Sequence, residues 1–531
     1  MTLEGVSGHV VDVQADVAQG LITTTLVGRP DASVNEARDR CRTAMVNSGF
    51  DWPTTRRVTV LLSPADLPKR GSHFDLAIAV AVLAADEAVP KGSVDGIVML
   101  GELTLDGRLR AVPGVLPMVL AARASGFSTV MLPDLHVEEA AMVPGMTVVG
   151  VRSLRQAIAT LRGHEPPDEP PVAPPSGGSL LTWRGERRAE ELDLRDVHGM
   201  ADARFALEVA AAGGHHLLLS GPKGAGKTTL AERLPGLLPD LTAEEALELA
   251  AVRSLSGELD GPVQTRPPFR APHHTASKAS VLGGGTGRVH PGEISRALHG
   301  VLFLDEFPLF GVDLIDALRQ PLENGEVTIA RGDEVATFPA RTTVVLAANP
   351  CPCGDYHPDV RESRCTCSEV RRRSYRDRVS GPVTDRIDVV RHLSPVRPHE
   401  LRNPLHRPES TAEVRARVEV ARERQAVRYA GTPWRVNGDV PGSELAVRWP
   451  LPAPGQGLVD QHLGEGRLTR RGAARVHRLA WTVADLRGLD EPGTAEVDTA
   501  LRLRAGEPLP VSALATPTAA APSVRTGGDA R

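Results

Sequence analysis

A glycine-rich segment, Gly221-Pro-Lys-Gly-Ala-Gly-Lys-Thr228, limits the folds open to this chain more than any other feature. It follows the apolar run 216–220 and precedes a helical pattern that starts at Thr229. A strand, a glycine-rich turn and a helix start, in this order, are typical of a phosphate-binding loop in an α/β protein. An unrelated glycine-rich turn can match the same pattern by accident, so other motifs must decide between the two.

The residues of this segment have expected parts in holding a triphosphate. Glycines let successive backbone N–H groups turn toward the phosphates, Lys227 reaches the β- and γ-phosphates, and the Thr228 hydroxyl is a ligand for Mg²⁺. ATP and Mg²⁺ are therefore the predicted cofactors. The predicted nucleotide-binding residues are Gly221, Pro222, Lys223, Gly224, Ala225, Gly226, Lys227, Thr228 and Thr229.

Two further apolar runs end in polar residues downstream of this loop. The run 300–304 ends in Asp305 and Glu306, as a buried strand delivering carboxylates to one edge of a sheet would. Asp305 is the predicted second Mg²⁺ ligand, and Glu306 is predicted to orient and activate the attacking water. A solvated acidic turn is the other interpretation, and the preceding phosphate loop disfavours it. The run 342–348 ends in Asn349, which on local chemistry alone is a turn residue before Pro350.

The composition is that of a chain with several domains and no membrane segment. At 531 residues the chain exceeds one core, since domains average about 100–200 residues. No apolar run reaches the ~18 residues of a membrane span, and the N-terminus lacks a secretory signal, so we expect no membrane partner and a cytoplasmic location. The net charge of −5 argues against a globally basic nucleic-acid binder but allows local basic patches.

The remaining sequence divides into regions of different character. Residues 1–163 alternate β-like runs with alanine-rich helical runs and are predicted to form an α/β domain. The strands are expected at 22–27, 57–62, 129–132 and 147–149, and the helices at 32–48, 75–85 and 115–125. A proline-rich linker is predicted at 164–190, an ATPase core at 191–400, a mostly helical region interrupted at 441–457 within 401–506, and a disordered tail at 507–531.

Four of the five cysteines lie between positions 351 and 367. Cys351 and Cys353 form one Cys-x-Cys pair, and Cys365 and Cys367 form another across eleven residues. Paired thiols in a reducing compartment favour a metal over disulfides, and four thiolates satisfy a closed, structural Zn²⁺ site. Four free thiols in a loop remain the alternative.

Several short motifs remain beside those already described, at 27–32, 47–50, 63–69, 100–107, 270–277, 283–287, 291–295 and 318–323. Together with the phosphate loop they resemble the YifB/ComM family of Mg-chelatase-like AAA+ ATPases. The resemblance implies an α/β multidomain chain with an N-terminal domain like the proteolytic (S5-type) domain of Lon, an AAA+ core with a zinc-knuckle-like insertion, and a C-terminal helical lid. Lon-like peptidase activity is not expected. Leu116 stands where the dyad lysine should be, and Ser72 is better explained as a helix N-cap.

The same resemblance implies three more ATPase residues. Asn349 corresponds to sensor 1, which hydrogen bonds the γ-phosphate or the attacking water. Arg386 corresponds to the arginine finger, which acts on the neighbouring subunit of a ring, here expected to hold about six copies. Arg471 corresponds to sensor 2 of the lid, with Arg475 in reserve. A solvated arginine-rich helix face explains Arg471 equally well.

His273 and His274 are predicted to be structural, because a metal needs three or four ligands.

Two basic segments are candidates for contact with DNA. Arg371, Arg372 and Arg373 follow the cysteines, and Tyr375 among them is predicted to stack on a base. An ordinary solvated helix explains this segment at least as well. Arg331 lies at the turn of a predicted hairpin that the resemblance places in a ring pore. The whole pattern predicts a DNA-translocating or branch-migrating ATPase that works with recombination proteins. A chelatase-type motor remodelling a protein partner is the alternative, and a nucleotide-gated scaffold is disfavoured because the hydrolytic residues are present.

Overall fold

The computed structural model describes residues 1–172, 192–259, 263–285, 289–331, 334–356, 365–378, 383–394 and 408–514. Within these ranges the chain forms an N-terminal α/β region, a central region built on a five-stranded parallel sheet, and a C-terminal helical region (residues 408–514). Most of the predicted linker lies outside the described residues. None of the helices in these ranges combines the length and apolar character needed to cross a membrane.

The N-terminal region contains two three-stranded sheets flanked by helices. In one sheet Arg57–Ser63 pairs antiparallel with Asp12–Ala18 and parallel with Thr24–Val27. In the other Thr129–Pro133 lies parallel between Thr147–Val151 and Ile97–Met99. Short strands span Thr2–Glu4, Ser7–His9, Glu102–Leu103 and Leu109–Arg110, and the helices span Ala32–Asn47, Asp75–Ala85, Val115–Ala124, Val137–Ala141 and Leu154–Leu161. The predicted strands and helices are thus confirmed, with bounds that shift by at most two residues.

Ser72 does not cap the helix Asp75–Ala85, and the N-cap prediction for it was wrong. That helix begins after Phe74 without a side-chain cap, because a 3₁₀ turn at Ser72–Phe74 leads directly into it. The Ser72 hydroxyl instead donates to the Glu102 carboxylate. Leu116 is fully buried in the helix Val115–Ala124.

The central sheet brings the predicted ATPase motifs to common edges. Its strands run in the order Phe269–Arg270, Val301–Leu304, Thr343–Ala348, Leu217–Ser220 and Val389–His392, all parallel. Carboxyl ends of parallel strands share one edge, so the residues after Leu304, Ala348 and Ser220 meet there. We call this the phosphate edge. Residues that precede the strands, such as Arg386 and Asp388, lie at the opposite edge.

Alternating side chains fill a separate core on each face of this sheet. Leu217, Leu219 and Phe303 face a core shared with the helix Ala201–Gly213 and the C-terminal helices. Leu218 and Leu304 face the other core, which short helices cover. Burial of both faces explains why these strands are almost continuously apolar rather than alternating. The other central helices are Lys227–Ala231, Leu234–Leu237, Ala243–Ser256, Lys278–Leu282, Glu293–Arg296, Val312–Ala317, Arg319–Asn324 and Glu369–Asp377; the pairs Gly283–Gly284 with His290–Pro291 and Glu326–Arg331 with Glu334–Pro339 are antiparallel.

The C-terminal helical region is more continuous than its sequence indicated. The helices span Thr411–Arg428, Gly442–Arg448, Ala453–Gly464, Arg470–Leu486, Thr494–Ala505 and Val511–Leu514. The predicted interruption at 441–457 is mostly helical, because Pro441 and Pro452 occupy N-cap positions, where the missing N–H costs nothing. The predicted disordered tail is also wrong for 507–514, since Leu509 and Ala513 are buried in the core. Residues 515–531 lie outside the described ranges.

Candidate nucleotide site and four-cysteine cluster

The phosphate loop leaves the strand Leu217–Ser220 and enters the helix Lys227–Ala231. Gly224 and Gly226 have φ angles of 79° and 83°, which a residue with a Cβ rarely adopts. Gly226 stands at the N-cap of the helix, so the first N–H groups of that helix point out of the turn. The segment therefore has the backbone conformation that a phosphate cradle needs, with exposed Thr229 one residue beyond it.

Lys227 is tied to both the loop and the neighbouring strand end. Its Nζ donates to the carbonyl oxygens of Gly221 at 2.8 Å and Pro222 at 3.0 Å, and to Asn349 Oδ1 at 2.9 Å. Burial lowers the pKa of Lys227, and the nearby carboxylates of Asp305 and Glu306 oppose that shift. The contact with Asn349 places the predicted sensor beside the predicted phosphate-binding lysine.

The two predicted Mg²⁺ ligands are direct neighbours. Thr228 Oγ1 donates to Asp305 Oδ2 at 3.0 Å. Two adjacent oxygens in an octahedral Mg²⁺ shell with bonds of ~2.0–2.1 Å lie about 2.9 Å apart. The observed spacing therefore fits two ligands of one Mg²⁺ ion.

Glu306 adopts a strained backbone conformation beside Asp305. Its φ of 50° lies in the left-handed region, which is costly for a residue with a side chain. Its backbone N–H donates to Asp305 Oδ1 at 2.8 Å. Its carboxylate lies 3.4 Å from His274 Nδ1, measured to Oε2. The left-handed turn directs the two adjacent acids differently, and His274 restrains the second one.

Arg386 and Arg471 lie away from this site, at the opposite edge. Arg386 ends a 3₁₀ turn before the strand Val389–His392 and donates twice to Glu323 Oε2, at 3.1 and 2.5 Å. Hydrogen bonding to Arg386 lowers the pKa of Glu323, and the charges of Arg471 and Arg475 add to the effect. With ~3.3 Å per strand residue, a four-residue strand separates the two edges by roughly 13 Å. Neither arginine shares an edge with its own phosphate loop.

Arg475, the reserve candidate for sensor 2, forms a buried ion pair. It donates to Asp388 Oδ1 at 2.5 Å, and the Asp388 side chain is only 4% exposed. Burial opposes ionisation of Asp388, but Arg475 and His215 hold its pKa well below the usual range. This pairing indicates a structural role for Arg475 and leaves exposed Arg471 as the better candidate.

The four clustered cysteines converge, as their spacing predicted. The Sγ–Sγ distances are 3.2 Å for Cys351–Cys353 and 3.6 Å for both Cys353–Cys365 and Cys351–Cys365. All four sulfurs, including that of Cys367, lie within 4.8 Å of one another. Four sulfurs at ~2.3 Å from one tetrahedral zinc lie about 3.8 Å apart. The donor set and its dimensions therefore fit a closed zinc site.

The helix Glu369–Asp377 carries the basic candidates, but not all of them are free. Arg371 and Arg373 are exposed, whereas the Arg372 guanidinium stacks over the Tyr356 ring at 4.3 Å. Tyr375 is 5% exposed, and burial raises its pKa to about 12. The prediction that Tyr375 stacks on a base is therefore wrong, because its ring packs inward. Arg331 is exposed at the end of its hairpin strand, while residues 332–333 lie outside the described ranges.

Comparisons with known proteins agree with this architecture. Models of magnesium chelatase subunit ChlI match residues 13–135, 193–401 and, as its C-terminal part, 408–504. Protein Rv2897c of Mycobacterium tuberculosis is 44% identical over 509 residues, covering 95% of this chain and 97% of its own. Protein YifB of Escherichia coli is 39% identical over 483 residues, with 91% of each chain covered. Competence protein ComM of Haemophilus influenzae is 38% identical over 502 residues, covering 94% of this chain and 96% of its own.

This chain belongs to the YifB/ComM family. Its Mg-chelatase-like AAA+ core indicates an ATPase that uses ATP and Mg²⁺. A weaker likeness, 20% identity over 180 residues, links 31% of the chain to Lon protease 2 of Bacillus subtilis.

In this YifB/ComM family member, two residues lie at the nucleotide site although the sequence analysis did not assign them to it. His274 contacts Glu306 across 32 residues of chain, although the histidine pair was predicted to be only structural. His273 hydrogen bonds with Thr275 at 2.8 Å, and its ring packs at a tilt of 35° against that of His274, as a structural histidine would. Met200 lies against the phosphate loop, where a Cβ on Gly226 would come within 3.0 Å of its Cε. The Ala271-Pro-His-His274 segment after the edge strand was the only signal for His274.

Proposed function

We propose that this chain is a ring-forming AAA+ ATPase, of about six copies, that couples ATP hydrolysis to translocation along DNA and branch migration. The observation that best supports this proposal is that the residues assigned to ATP hydrolysis are divided between the two edges of one sheet. Lys227, Asp305, Glu306 and Asn349 occupy the phosphate edge, whereas Arg386 and Arg471 occupy the other. A site divided in this way is completed when one copy presents its far edge to the phosphate edge of the next.

The chemistry at the phosphate edge follows from its contacts. The phosphate-loop N–H groups and Lys227 hold the β- and γ-phosphates, and Thr228 and Asp305 hold Mg²⁺, which would neutralise charge on the phosphate oxygens. Glu306 accepts a proton from the attacking water, with His274 keeping its carboxylate in place. Asn349 orients the γ-phosphate or the water. Arg386 of a neighbouring copy stabilises charge on the transferred phosphoryl group.

DNA as the substrate rests on the likeness to ComM and on the exposed basic side chains. Exposed Arg371 and Arg373 lie on one helix after the cysteine cluster, and exposed Arg331 ends the first strand of its hairpin. These residues are suited to phosphate contacts, which depend on charge rather than on sequence.

We further propose that the C-terminal helical region is the lid and that the N-terminal region is a Lon-like domain without peptidase activity. Recombination proteins are the proposed partners.

A chelatase-type motor that remodels a protein partner is the second candidate, because the chelatase subunit ChlI models match three regions of the chain. ATPase assays with and without forked and four-way DNA separate the two proposals. We expect DNA to increase turnover, and Glu306→Gln to bind ATP with turnover near zero. An ATPase that no DNA stimulates contradicts the DNA motor and favours a protein substrate.

We assign a structural zinc ion to Cys351, Cys353, Cys365 and Cys367 on the geometry of their sulfurs. Purified protein should contain one zinc per chain by mass spectrometry of the metal. Cys41→Ser should retain it, because Cys41 is buried in the N-terminal region with its thiol donating to the Asp75 carbonyl at 3.3 Å. A stable preparation without metal removes this assignment.

A further inference from the structure

The first half of the cysteine cluster contacts the phosphate loop directly. The Lys223 backbone N–H donates to the Gly354 carbonyl at 3.1 Å, and the Gly354 N–H donates to the Cys351 carbonyl at 3.0 Å. Gly354 has a φ of 83°, and a Cβ added there would lie 3.2 Å from Lys223 Cβ. The turn that holds Cys351 and Cys353 therefore packs closely on the loop that we assign to the triphosphate.

The same turn is continuous with the predicted sensor. Asn349 lies two residues before Cys351 and accepts from Lys227 Nζ at 2.9 Å. Cys351 is fully buried, so its position and that of Asn349 are set together. A displacement of the cysteine turn would move the Gly354 carbonyl, which accepts from the Lys223 N–H, and Asn349 Oδ1, which accepts from Lys227 Nζ.

The second half of the cluster returns to the same site from the other side. Cys367 directly precedes Ser368, which caps the helix Glu369–Asp377. On this helix Tyr375 is 5% exposed, and burial together with the Glu306 carboxylate raises its pKa to about 12, while the Asn349 backbone opposes that rise. Just after the helix, Arg378 Nη1 donates to the Pro308 carbonyl at 3.2 Å, in the turn that follows Glu306. The second half of the cluster is thus joined, through this helix, to the turn after the proposed base.

We propose that a zinc ion on the four cysteines joins these two halves and fixes the nucleotide-binding conformation of the phosphate loop, so that zinc and nucleotide bind cooperatively. The proposal rests on the zinc site and the ATP site assigned above. Without the ion, the halves meet in the described residues through thiol contacts and the stacking of Arg372 on Tyr356. Thermodynamic linkage then requires that each ligand increase the affinity for the other by the same factor.

The test measures both affinities on the full chain under reducing conditions. The Kd of a non-hydrolysable fluorescent ATP analogue is determined on zinc-loaded and chelator-stripped protein, with Mg²⁺ constant. The Kd of zinc is determined by competition with a chromophoric chelator, with and without the analogue. We expect about a tenfold change in each, within the usual range of coupling between two sites, and re-added zinc should restore nucleotide affinity.

Two variants separate the linkage from loss of the metal. Gly354→Ala keeps all four thiols but strains the turn at φ 83°, and Arg378→Ala keeps them too but removes the hydrogen bond to the Pro308 carbonyl. Each should bind zinc and show a reduced coupling factor, whereas Cys41→Ser should keep both zinc and the full factor.

The possible results distinguish this proposal from the ATPase assignment. Equal nucleotide affinity with and without zinc overturns the linkage while leaving the ATPase intact. Failure of zinc-loaded protein to bind the analogue contradicts the proposed function itself. Protein that takes up no zinc, or that shows a disulfide between these cysteines under the same conditions, also overturns the linkage.

Discussion

The two edges of the central sheet share the same strands but carry different kinds of polar residue. At the phosphate edge Glu306 has 43% of its side chain exposed and a strained backbone. At the opposite edge Asp388 is 4% exposed and fully paired with Arg475, while Arg386 and Arg471 surround half-exposed Glu323. The strained and exposed acid, Glu306, thus lies where hydrolysis is expected, whereas the buried ion pair, Asp388 with Arg475, lies where the sheet joins its neighbouring helix.

The opposite edge itself has two parts. One part, Asp388 with Arg475 and His215, connects the sheet to the helix Arg470–Leu486. The other part pairs half-exposed Glu323 with Arg386, which is itself only 9% exposed. To act as the finger of the proposed ring, the Arg386 guanidinium would have to exchange the Glu323 carboxylate for a phosphate of the next copy.

The largest effect is expected from breaking each edge in a different copy. Lys227→Ala removes the phosphate-binding amine at the phosphate edge, and Arg386→Ala removes the proposed finger at the opposite edge. We expect each substitution alone to lower turnover about 10³-fold or more, as for arginine fingers in related enzymes. Mixtures of the two variants should regain activity. At some interfaces the Arg386 of a Lys227→Ala copy then meets the intact phosphate edge of an Arg386→Ala copy. Turnover of mixed and unmixed samples at equal total concentration checks this.

Arg475→Ala in place of Arg386→Ala is the matched control for complementation. Its partner Asp388 lies inside the same copy, so its loss should appear as instability rather than as a defect that mixing repairs. An absence of regained activity in the Lys227 and Arg386 mixture would indicate that the site is complete within one chain.

The next largest effect concerns the buried pair. Asp388→Asn leaves the Arg475 charge without its carboxylate, and removal of one partner of a buried pair costs about 3–5 kcal/mol. Chemical denaturation should show this loss of unfolding free energy. Asp385→Asn is the control, because Asp385 is half-exposed and its contact with Arg504 is 3.7 Å long. Equal losses for both variants would contradict the structural role of Asp388.

The same edge predicts a loss of stability in mild acid. The Val344 N–H donates to His216 Nδ1 at 3.1 Å, which requires that nitrogen to be unprotonated, and burial lowers the pKa of His216 to about 4. A histidine with a lowered native pKa binds more protons when unfolded, so stability is present above pH ~6.5 and falls as the pH drops toward 4. Melting temperatures across this range check the direction, and His216→Gln should flatten the dependence.

The sequence predicted the phosphate edge better than the rest of the site. Gly221–Thr228, Asp305, Glu306 and Asn349 each follow an apolar strand, and parallel strands bring such ends together whatever the tertiary detail. The grouping of Cys351, Cys353, Cys365 and Cys367 could also be predicted, because two close thiol pairs in a reducing compartment favour one shared metal over disulfides.

Contacts between distant segments were not predictable in this way. Tyr375 lies among arginines, and the sequence of its helix gives no sign that this one side chain is buried. Prolines at 441 and 452 indicated a break, although each begins a helix. Leu509 and Ala513 lie in an alanine- and proline-rich segment, and only their burial in the core shows that this part of the chain packs against the rest.

The smallest effect is expected from the contact that the sequence missed. His274→Ala removes the group 3.4 Å from the Glu306 carboxylate, and a contact between partly exposed charged groups contributes about 0.2–1 kcal/mol. We therefore expect turnover to fall by about fivefold at most, with ATP affinity unchanged, because His274 positions the base and contacts no phosphate-loop residue in the described contacts.

His273→Ala is the matched control for this contact. The two rings are adjacent, with centroids 4.1 Å apart, but His273 bonds Thr275 rather than Glu306. Only the His274 variant should lower turnover without weakening ATP binding, and it should also shift the pH dependence of turnover, since it changes the environment of the proposed base. Equal effects of the two variants, or a loss of ATP affinity in the His274 variant, would mean that this histidine supports the loop and not Glu306. The strained turn at Glu306 would then have to hold the carboxylate by itself.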